Sequence, residues 1–483
     1  MLLAATFAIN SGLNFILGLL IAKFLGPEQF GLYALGAALL ILVNAFGIDW
    51  LKLSTIRFYA QNKRASEPAI RATLDGMAAL CSLALFVPLL VAIIAGIDLT
   101  LPTAIAAAAV AAGIVGGLFD YQQAIARARE EDAVYARMVL VKNAVAFILM
   151  VGGAWWTRDP AMVLLGSAIS SLAAVTMVRK ALADAPLELG TIDRTQVKIF
   201  AAYAFPLVLT NVLLSTIPLL NRAYMASAHG LAEAGYFALA SDIGVKLMGT
   251  LGATIEIMLL PLAVRAFDAG GPQAAHDRIS RNLLIVLAII LPVAAGLLFV
   301  LPAFEALFVP ESFRGHFSQY VWLLIPGLAA MPIMQVGFNP VFLVERRTLI
   351  STASACVAVA VNAALLGVLV LGIGGPAWQS PQCVALAMSA GFVAAALLVA
   401  GAAVRSARIL PSLREAATLA AGLAIMSAAL WPLRNLQGAA FTLGLQVVLG
   451  IAIYGAVLLA ANLGGCRNTL LAYVRKARTK VPA

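Results

Sequence analysis

Asp242, Lys246 and Glu256 lie inside one long apolar stretch of this 483-residue chain. An ionisable residue at membrane depth is costly, so it marks a functional site by default. At about 100° per residue the three side chains share one helical face, within an arc of roughly 80°. Gly249 and Ala253 lie between them on that face. Asp242 and Lys246 are four apart and can pair within the helix. Glu256 sits about 15 Å beyond Lys246 along the axis, too far to be neutralised by it. A stripe of this kind lines a wet cavity or, on the competing reading, locks two helices together. In a cavity Lys246 would attract an anion. An acid such as Glu256, Asp242 or Asp49 would load and release a proton or another cation.

Other polar groups have compatible spacing. Asn211, Ser215, Pro218 and Arg222 fall within an arc of about 60° on a neighbouring segment. Asn10 and Asn14 share a face of the first segment, where amides either bond a neighbouring helix or meet a polar substrate. Lys23 closes that segment. Lys23 and Arg222 either snorkel to the interface or draw an anionic substrate to the mouth of a cavity. Asn44 and Asp49 lie in the second segment, and Asp49 and Lys52 are spaced to pair. Pro326, Pro332 and Pro340, with Gln335 and Asn339 between them, would bend the tenth segment. The four cysteines, Cys81, Cys356, Cys383 and Cys466, form no CxxC pair, so neither a metal site nor a disulfide framework is expected. The three histidines, His229, His276 and His316, read as solvated loop residues. The sequence contains no P-loop, so direct ATP hydrolysis is not expected. No catalytic residue and no cofactor is implied.

These residues are carried on fourteen apolar segments, at about 2–22, 31–51, 76–96, 101–122, 138–156, 161–178, 200–220, 236–263, 283–302, 319–344, 349–373, 384–404, 413–432 and 438–462. Each is near the roughly 20 residues that cross a hydrocarbon core of about 30 Å. Cytoplasmic loops collect Lys and Arg. Of the 32 basic residues, 26 fall in the even-numbered connections and the C-terminal tail, five on the opposite side (Lys23, Arg158, Arg222, Arg314 and Arg434), and Lys246 within a segment. Both termini are therefore predicted to be cytoplasmic. The first segment lacks a charged n-region and a cleavage site, so it reads as a retained helix.

Composition agrees. The chain is 63% hydrophobic and 11% charged. Continuous apolar runs exclude a barrel, which needs alternation, and leave a helix bundle. The net charge of +10 is spread over short loops, so it is a topology signal and not a nucleic-acid footprint.

The chain also repeats itself. Gly31-Leu32-Tyr33-Ala34-Leu35 opens the second segment, and Gly235-Tyr236-Phe237-Ala238-Leu239 opens the eighth. A second, ungapped match at an offset of 219 pairs Phe119 with Phe338, Asp120 with Asn339, Asn143 with Asn362 and Gly153 with Gly372. Both align segments 1–6 with 7–12 in the same orientation, a parallel repeat. The expected fold is an all-α polytopic membrane protein with about 14 transmembrane helices. Two pseudo-symmetric six-helix lobes, 1–190 and 191–404, precede two extra C-terminal helices and a basic tail, 405–483.

The stretch Asn14 to Leu35, with Lys23, Leu25-Gly26-Pro27-Glu28, Phe30-Gly31 and Tyr33, resembles the start of polysaccharide-repeat-unit (O-antigen or exopolysaccharide) flippases. These are members of the superfamily that also holds multidrug extrusion transporters and lipid II flippases. Asn221-Arg222 is similar to that family's Asp-Arg ahead of the eighth helix, with Asn in place of Asp. The resemblance implies alternating-access movement of an undecaprenyl-pyrophosphate-linked oligosaccharide to the outer leaflet of a bacterial inner membrane. It makes Lys246, Arg222, Lys23, Asn10, Asn14, Asn211 and Ser215 the substrate-binding candidates, and Glu256, Asp242 and Asp49 the candidates for H+ or Na+ coupling. Membrane lipids and a polysaccharide polymerase or export complex are the implied partners. A cation-coupled multidrug exporter is the alternative transporter. A membrane glycosyltransferase or polymerase is disfavoured by the short external connections.

Overall fold

A Gly-Pro dipeptide makes both sharp breaks in the longest helices. In the computed structural model, helix α1 (Leu2–Gly47) is interrupted at Gly26, whose φ of 73° lies in the left-handed region that glycine adopts without strain. Pro27 follows and has no N–H to continue the ladder. The same device ends the first half of α9 (Leu231–Phe308), where Gly271, with φ 71°, precedes Pro272. Among the described residues, twelve helices are long and apolar enough to cross a membrane. Because α1 and α9 each hold two of the predicted segments on either side of a glycine break, the fourteen predicted crossings are present. The Gly26 break falls between the first two predicted segments, 2–22 and 31–51. The helical backbone of the eighth segment runs on to Ala269, past the apolar end at residue 263.

The structure describes residues 2–59, 69–95, 101–183, 192–345, 347, 349–373, 375–407, 409–436 and 438–468. All regular structure among them is helical. Lys63, Arg64, Arg346, Arg408 and the tail residues Arg475, Lys476, Arg478 and Lys480, all counted as cytoplasmic, lie outside the described residues, as does Pro186 of the expected linker.

Between the two long helices come α2 (Asp49–Phe58), α3 (Ala69–Ile94), α4 (Thr103–Ala128), α5 (Asp132–Ala146), α6 (Gly152–Trp156), α7 (Pro160–Leu182) and α8 (Arg194–His229). After α9 come α10 (His316–Pro332), α11 (Asn339–Val344), α12 (Leu349–Val370), α13 (Pro381–Ala407), α14 (Leu413–Leu430) and α15 (Ala439–Ala460). Local chemistry sets several starts. Asp159 accepts from the Ala161 N–H ahead of α7, and Asp193 does the same for Thr195 ahead of α8. Ser412 and Glu415 form a capping box on α14. Pro332 ends regular α10, and a π-helical turn, Ile333–Phe338, follows it. The prolines of the tenth segment thus mark a real irregularity.

The described helices form two compact units: Met1–Leu239 with Ala355–Met388, and Ala240–Ser354 with Ser389–Ala483. The first is cored by residues such as Ile48, Leu51, Leu74, Ile125 and Met138. The second has a cluster of Leu284, Leu419, Met426 and Leu430. Lipid tails are as apolar as leucine, so helices gain most from close backbone approach and interhelical hydrogen bonds. Glycine supplies the approach at one place with repeat symmetry. A Cβ on Gly31 would strike the Leu231 carbonyl, and a Cβ on Gly235 would strike the Pro27 carbonyl. Pro27 and Gly31 are the first-half partners of Leu231 and Gly235, so each half offers its glycine to the other's carbonyl.

Candidate functional site

The face that packs α9 and the face that carries its charges are different. In the second unit, a Cβ on Gly244 would meet Leu328, and one on Gly252 would meet Pro332. Met248, Ile255 and Leu259 are buried on that same side. The charged stripe lies round the helix from it. Lys246, Gly249 and Glu256 are exposed, Asp242 is half-buried, and a Cβ on Gly249 would meet nothing within 4 Å. Small residues thus let α9 dock on α10 while the stripe faces away from that contact. Lys246 and Asp242 sit one turn apart, with Glu256 further along.

The polar candidates of the first unit divide into two kinds. Asn10 and Asn14 are engaged in a network. Asn14 Nδ2 donates to the Asn10 carbonyl at 2.8 Å and to Asn10 Oδ1 at 3.0 Å, and Asn143 Nδ2 donates to Asn10 Oδ1 at 2.9 Å. The bond from Asn143 is interhelical, and those from Asn14 stay within α1. Asn221 does the same in the second repeat. It exchanges hydrogen bonds with Asn362, 3.0 Å one way and 3.2 Å the other, and also donates to the Ile217 carbonyl at 2.7 Å. Asn143 and Asn362 are the pair matched at offset 219, so each half bridges its first helix to its fifth with paired amides. A neutral amide pair can be fully satisfied without water, which gives a reason for Asn at 221 where a carboxylate would leave charge buried.

Arg222 is 3% exposed and donates to the Ala34 carbonyl at 3.0 Å. Its guanidinium therefore ties α8 to α1. Lys23 and Asn211 are exposed, and Ser215 is half-buried. Asp49 pairs with Lys52 at 3.1 Å, as the spacing predicts.

Several charged groups play parts that counting did not show. Arg129, read as a loop cation, is buried and donates to the Leu182 carbonyl at 2.9 Å and the Ala181 carbonyl at 3.3 Å, tying down the end of α7. Arg71 pairs with Asp75 at 2.7 Å, and Tyr121 donates to the same carboxylate at 2.7 Å. His276 is not a solvated loop residue. It lies within α9, partly buried and 3.0 Å from Glu345 Oε1, which also accepts from Ser406. Asp120, within reach of Asn44 and Lys52, was used only in the repeat match. The rule that flagged Asp242 flags Asp120 as well, since both lie within apolar segments. Among the described residues no group of His, Cys, Asp and Glu could hold a metal ion.

A sequence profile for polysaccharide biosynthesis proteins matches residues 20–309. The chain belongs to the polysaccharide biosynthesis protein family. The match covers most of the Asn14–Leu35 stretch on which the resemblance rested. No curated protein matches the chain by sequence. Among solved structures, the chain is similar to the lipid II flippase MurJ in an inward closed conformation. The TM-score is 0.71 at 15% identity, with 95% of this chain and 98% of that chain covered. It is also similar to an inward-facing multidrug resistance MATE family transporter of the MOP superfamily. There the TM-score is 0.63 at 14% identity, covering 81% of this chain and 92% of that one. At such identities it is the fold that is shared.

Proposed function

We propose that this protein flips an undecaprenyl-pyrophosphate-linked oligosaccharide from the cytoplasmic to the outer leaflet of a bacterial inner membrane, for O-antigen, lipopolysaccharide or exopolysaccharide synthesis. The carrying observation is the stripe on α9, which places Lys246 on an open face away from the α10 contact. An ammonium there neutralises the pyrophosphate. The lipid tail stays in the bilayer. On this reading the lobes are 1–190 and 191–404, both termini are cytoplasmic, and rocking of the lobes exposes a midplane site to each side in turn. Glu256 couples the cycle to a cation gradient, with Asp242 and Asp49 next in line. The product is handed to a polymerase or export complex.

The test is reconstitution with a fluorescent lipid-linked oligosaccharide and measurement of its transfer between leaflets. Lys246→Ala should abolish transfer while the protein still inserts. Lys246→Arg should retain part of it, since charge near a pyrophosphate matters more than shape. Recovery of transfer in the double variant Asp242→Ala with Lys246→Ala would make the pair structural and overturn the substrate role. Exposed Glu256 favours a second reading, a cation-coupled multidrug exporter. That reading gains if cationic dyes are exported and the lipid-linked oligosaccharide is not.

A further inference from the structure

The second unit carries a groove of about 1000 Å3, lined by α9 beyond its Gly271 break, the start of α14, the end of α15 and the turn that follows it. At about 100° per residue, Arg278, Arg281, Ile285, Ala288 and Ile289 fall within an arc of roughly 100° on α9. All five line the groove. Two guanidiniums therefore stand at one end of an apolar strip that continues for about 12 Å, from Arg281 to Ile289. Residues three apart on a helix have Cβ atoms about 5–6 Å apart, so both guanidiniums can reach one anion. Leu284 and Leu463 also line the groove and are buried in the unit's apolar cluster. The polar groups are unequally engaged. Glu415 is the one carboxylate lining the groove, and its Oε2 already accepts from the Ser412 N–H and hydroxyl, both at 2.8 Å. Asp277, the neighbouring acid on α9, does not line it and accepts from Gln273 at 3.3 Å. Arg278 Nε, in contrast, is buried with no hydrogen-bond partner among the described residues, and Arg281 is exposed. Two arginines and one glutamate give the lining a formal charge of +1. A groove of about 300 Å3 in the first unit, walled by Phe46, Trp50, Phe205 and Val212, has no charged residue in its lining, so nothing in it selects an anion.

We propose that this groove holds one anionic phospholipid of the bilayer, its phosphate on Arg278 and Arg281 and an acyl chain along Ile285, Ala288 and Ile289. The inference goes beyond the flippase reading, because its ligand is a lipid of the surrounding membrane and not the transported substrate. A buried donor without a partner is costly, and a phosphate oxygen satisfies the Arg278 Nε. Guanidinium forks match phosphate oxygens in a way that a point charge does not. A lining of charge +1 favours a headgroup with one net negative charge, such as phosphatidylglycerol, over zwitterionic phosphatidylethanolamine. Basic pockets between membrane helices on the cytoplasmic side are a recurrent seat for anionic headgroups. Under the proposed topology Arg278 and Arg281 lie at the inner leaflet, and the strip beyond them enters the hydrocarbon. The lipid would then bridge α9 to α14 and α15, the two helices outside the six-helix repeat. Apolar contact alone gives helices little reason to associate in lipid, so a charge-anchored lipid fastens the C-terminal pair to the rest of its unit.

The experiment is native mass spectrometry of the purified, delipidated full-length protein, titrated with phosphatidylglycerol and separately with phosphatidylethanolamine. Wild type should bind its first phosphatidylglycerol more tightly than phosphatidylethanolamine, by about tenfold or more, the effect of one hydrogen bond to a charged group. Arg278→Gln with Arg281→Gln should remove that preference. Arg278→Lys with Arg281→Lys keeps the charge and should bind more tightly than the glutamine pair, which separates loss of the site from loss of folding. Arg179→Gln with Lys180→Gln removes two exposed cations from the last turn of α7, outside the groove, and should bind as wild type does. Ala288→Phe fills the strip and should weaken phosphatidylglycerol binding with both arginines in place. Undecaprenyl phosphate at equal concentration should leave the bound phosphatidylglycerol in place. Equal affinity for the two phospholipids overturns the site, as does an unchanged preference in the glutamine pair, a lysine pair no better than it, or an equal loss in the α7 control. Unchanged binding in Ala288→Phe overturns the seat of the chain. Displacement by undecaprenyl phosphate overturns the bilayer-lipid assignment and gives the groove to the transported lipid, with the flippase reading left standing.

Discussion

Removing Asn362 tests whether the paired amides hold the second repeat together. Asn221 and Asn362 are both fully buried, and three hydrogen bonds run through Asn221. Asn362→Ala breaks two of them and leaves Asn221 Oδ1 without a donor, while Asn221 Nδ2 keeps its bond to the Ile217 carbonyl. Stranding a buried polar group costs about 1–3 kcal/mol. Asn221→Ala strands both ends of the Asn362 amide and should cost at least as much. The double variant strands neither. Its cost should therefore fall short of the sum of the singles by about 0.6–1.7 kcal/mol, from the average to the maximum coupling of interhelical pairs in a membrane bundle. Asn221→Asp should be the worst single change, because it removes the donor to two carbonyl oxygens and places a carboxylate in a dry site. The assay is reversible unfolding in mixed micelles, with each variant titrated by denaturing detergent and the free energies combined as a double-mutant cycle. Additivity within about 0.3–0.5 kcal/mol is the behaviour of independent sites. That result would refute the claim that the two amides act as a unit.

Three further outcomes are expected. In a background with the four cysteines replaced, Trp378→Cys should react with an impermeant thiol reagent from outside intact cells, and Gln273→Cys and Leu410→Cys should not. All three positions are exposed, so the reverse pattern would invert the orientation and the direction of transport. Glu256→Gln should lose the acceleration of flipping by an imposed ion gradient and keep basal exchange; a wild-type response would pass the coupling role to Asp242 or Asp49. Gly235→Val should lower the amount of folded protein in the membrane sharply, because its Cβ would overlap the Pro27 carbonyl. Gly249→Ala, with open space around its Cβ, should accumulate as wild type does, and the comparison is read from quantified membrane fractions.

Much of the fold was legible because the bilayer imposes simple rules. A span needs a run of apolar residues of the right length, and every such run is visible in one dimension. The Gly-Pro breaks at residues 26–27 and 271–272 were legible in kind, since glycine permits the left-handed turn and proline cannot extend the ladder. The helix of the eighth segment outlasts its apolar stretch, because hydropathy falls at Arg265 and Asp268 while helical backbone continues. The repeat, too, was readable, although its purpose was not: Asn143 and Asn362 were matched letters until their separate partners, Asn10 and Asn221, came within hydrogen-bond distance.

The sequence alone determined the number of crossings, the all-helical class and the α9 stripe, because these depend on composition and on a period of about 3.6 residues. Tertiary structure decided which polar residues are exposed and which are buried between helices. Arg222 and Lys246 are both cations in apolar stretches, yet one is buried against the Ala34 carbonyl and the other is exposed. Asp120 was one letter of a repeat until folding brought Asn44 and Lys52 to it from two other helices. These charges have partners distant in sequence, 68 residues for Lys52 and Asp120 and 188 for Arg222 and Ala34. No local pattern encodes that distance; packing selects the partner.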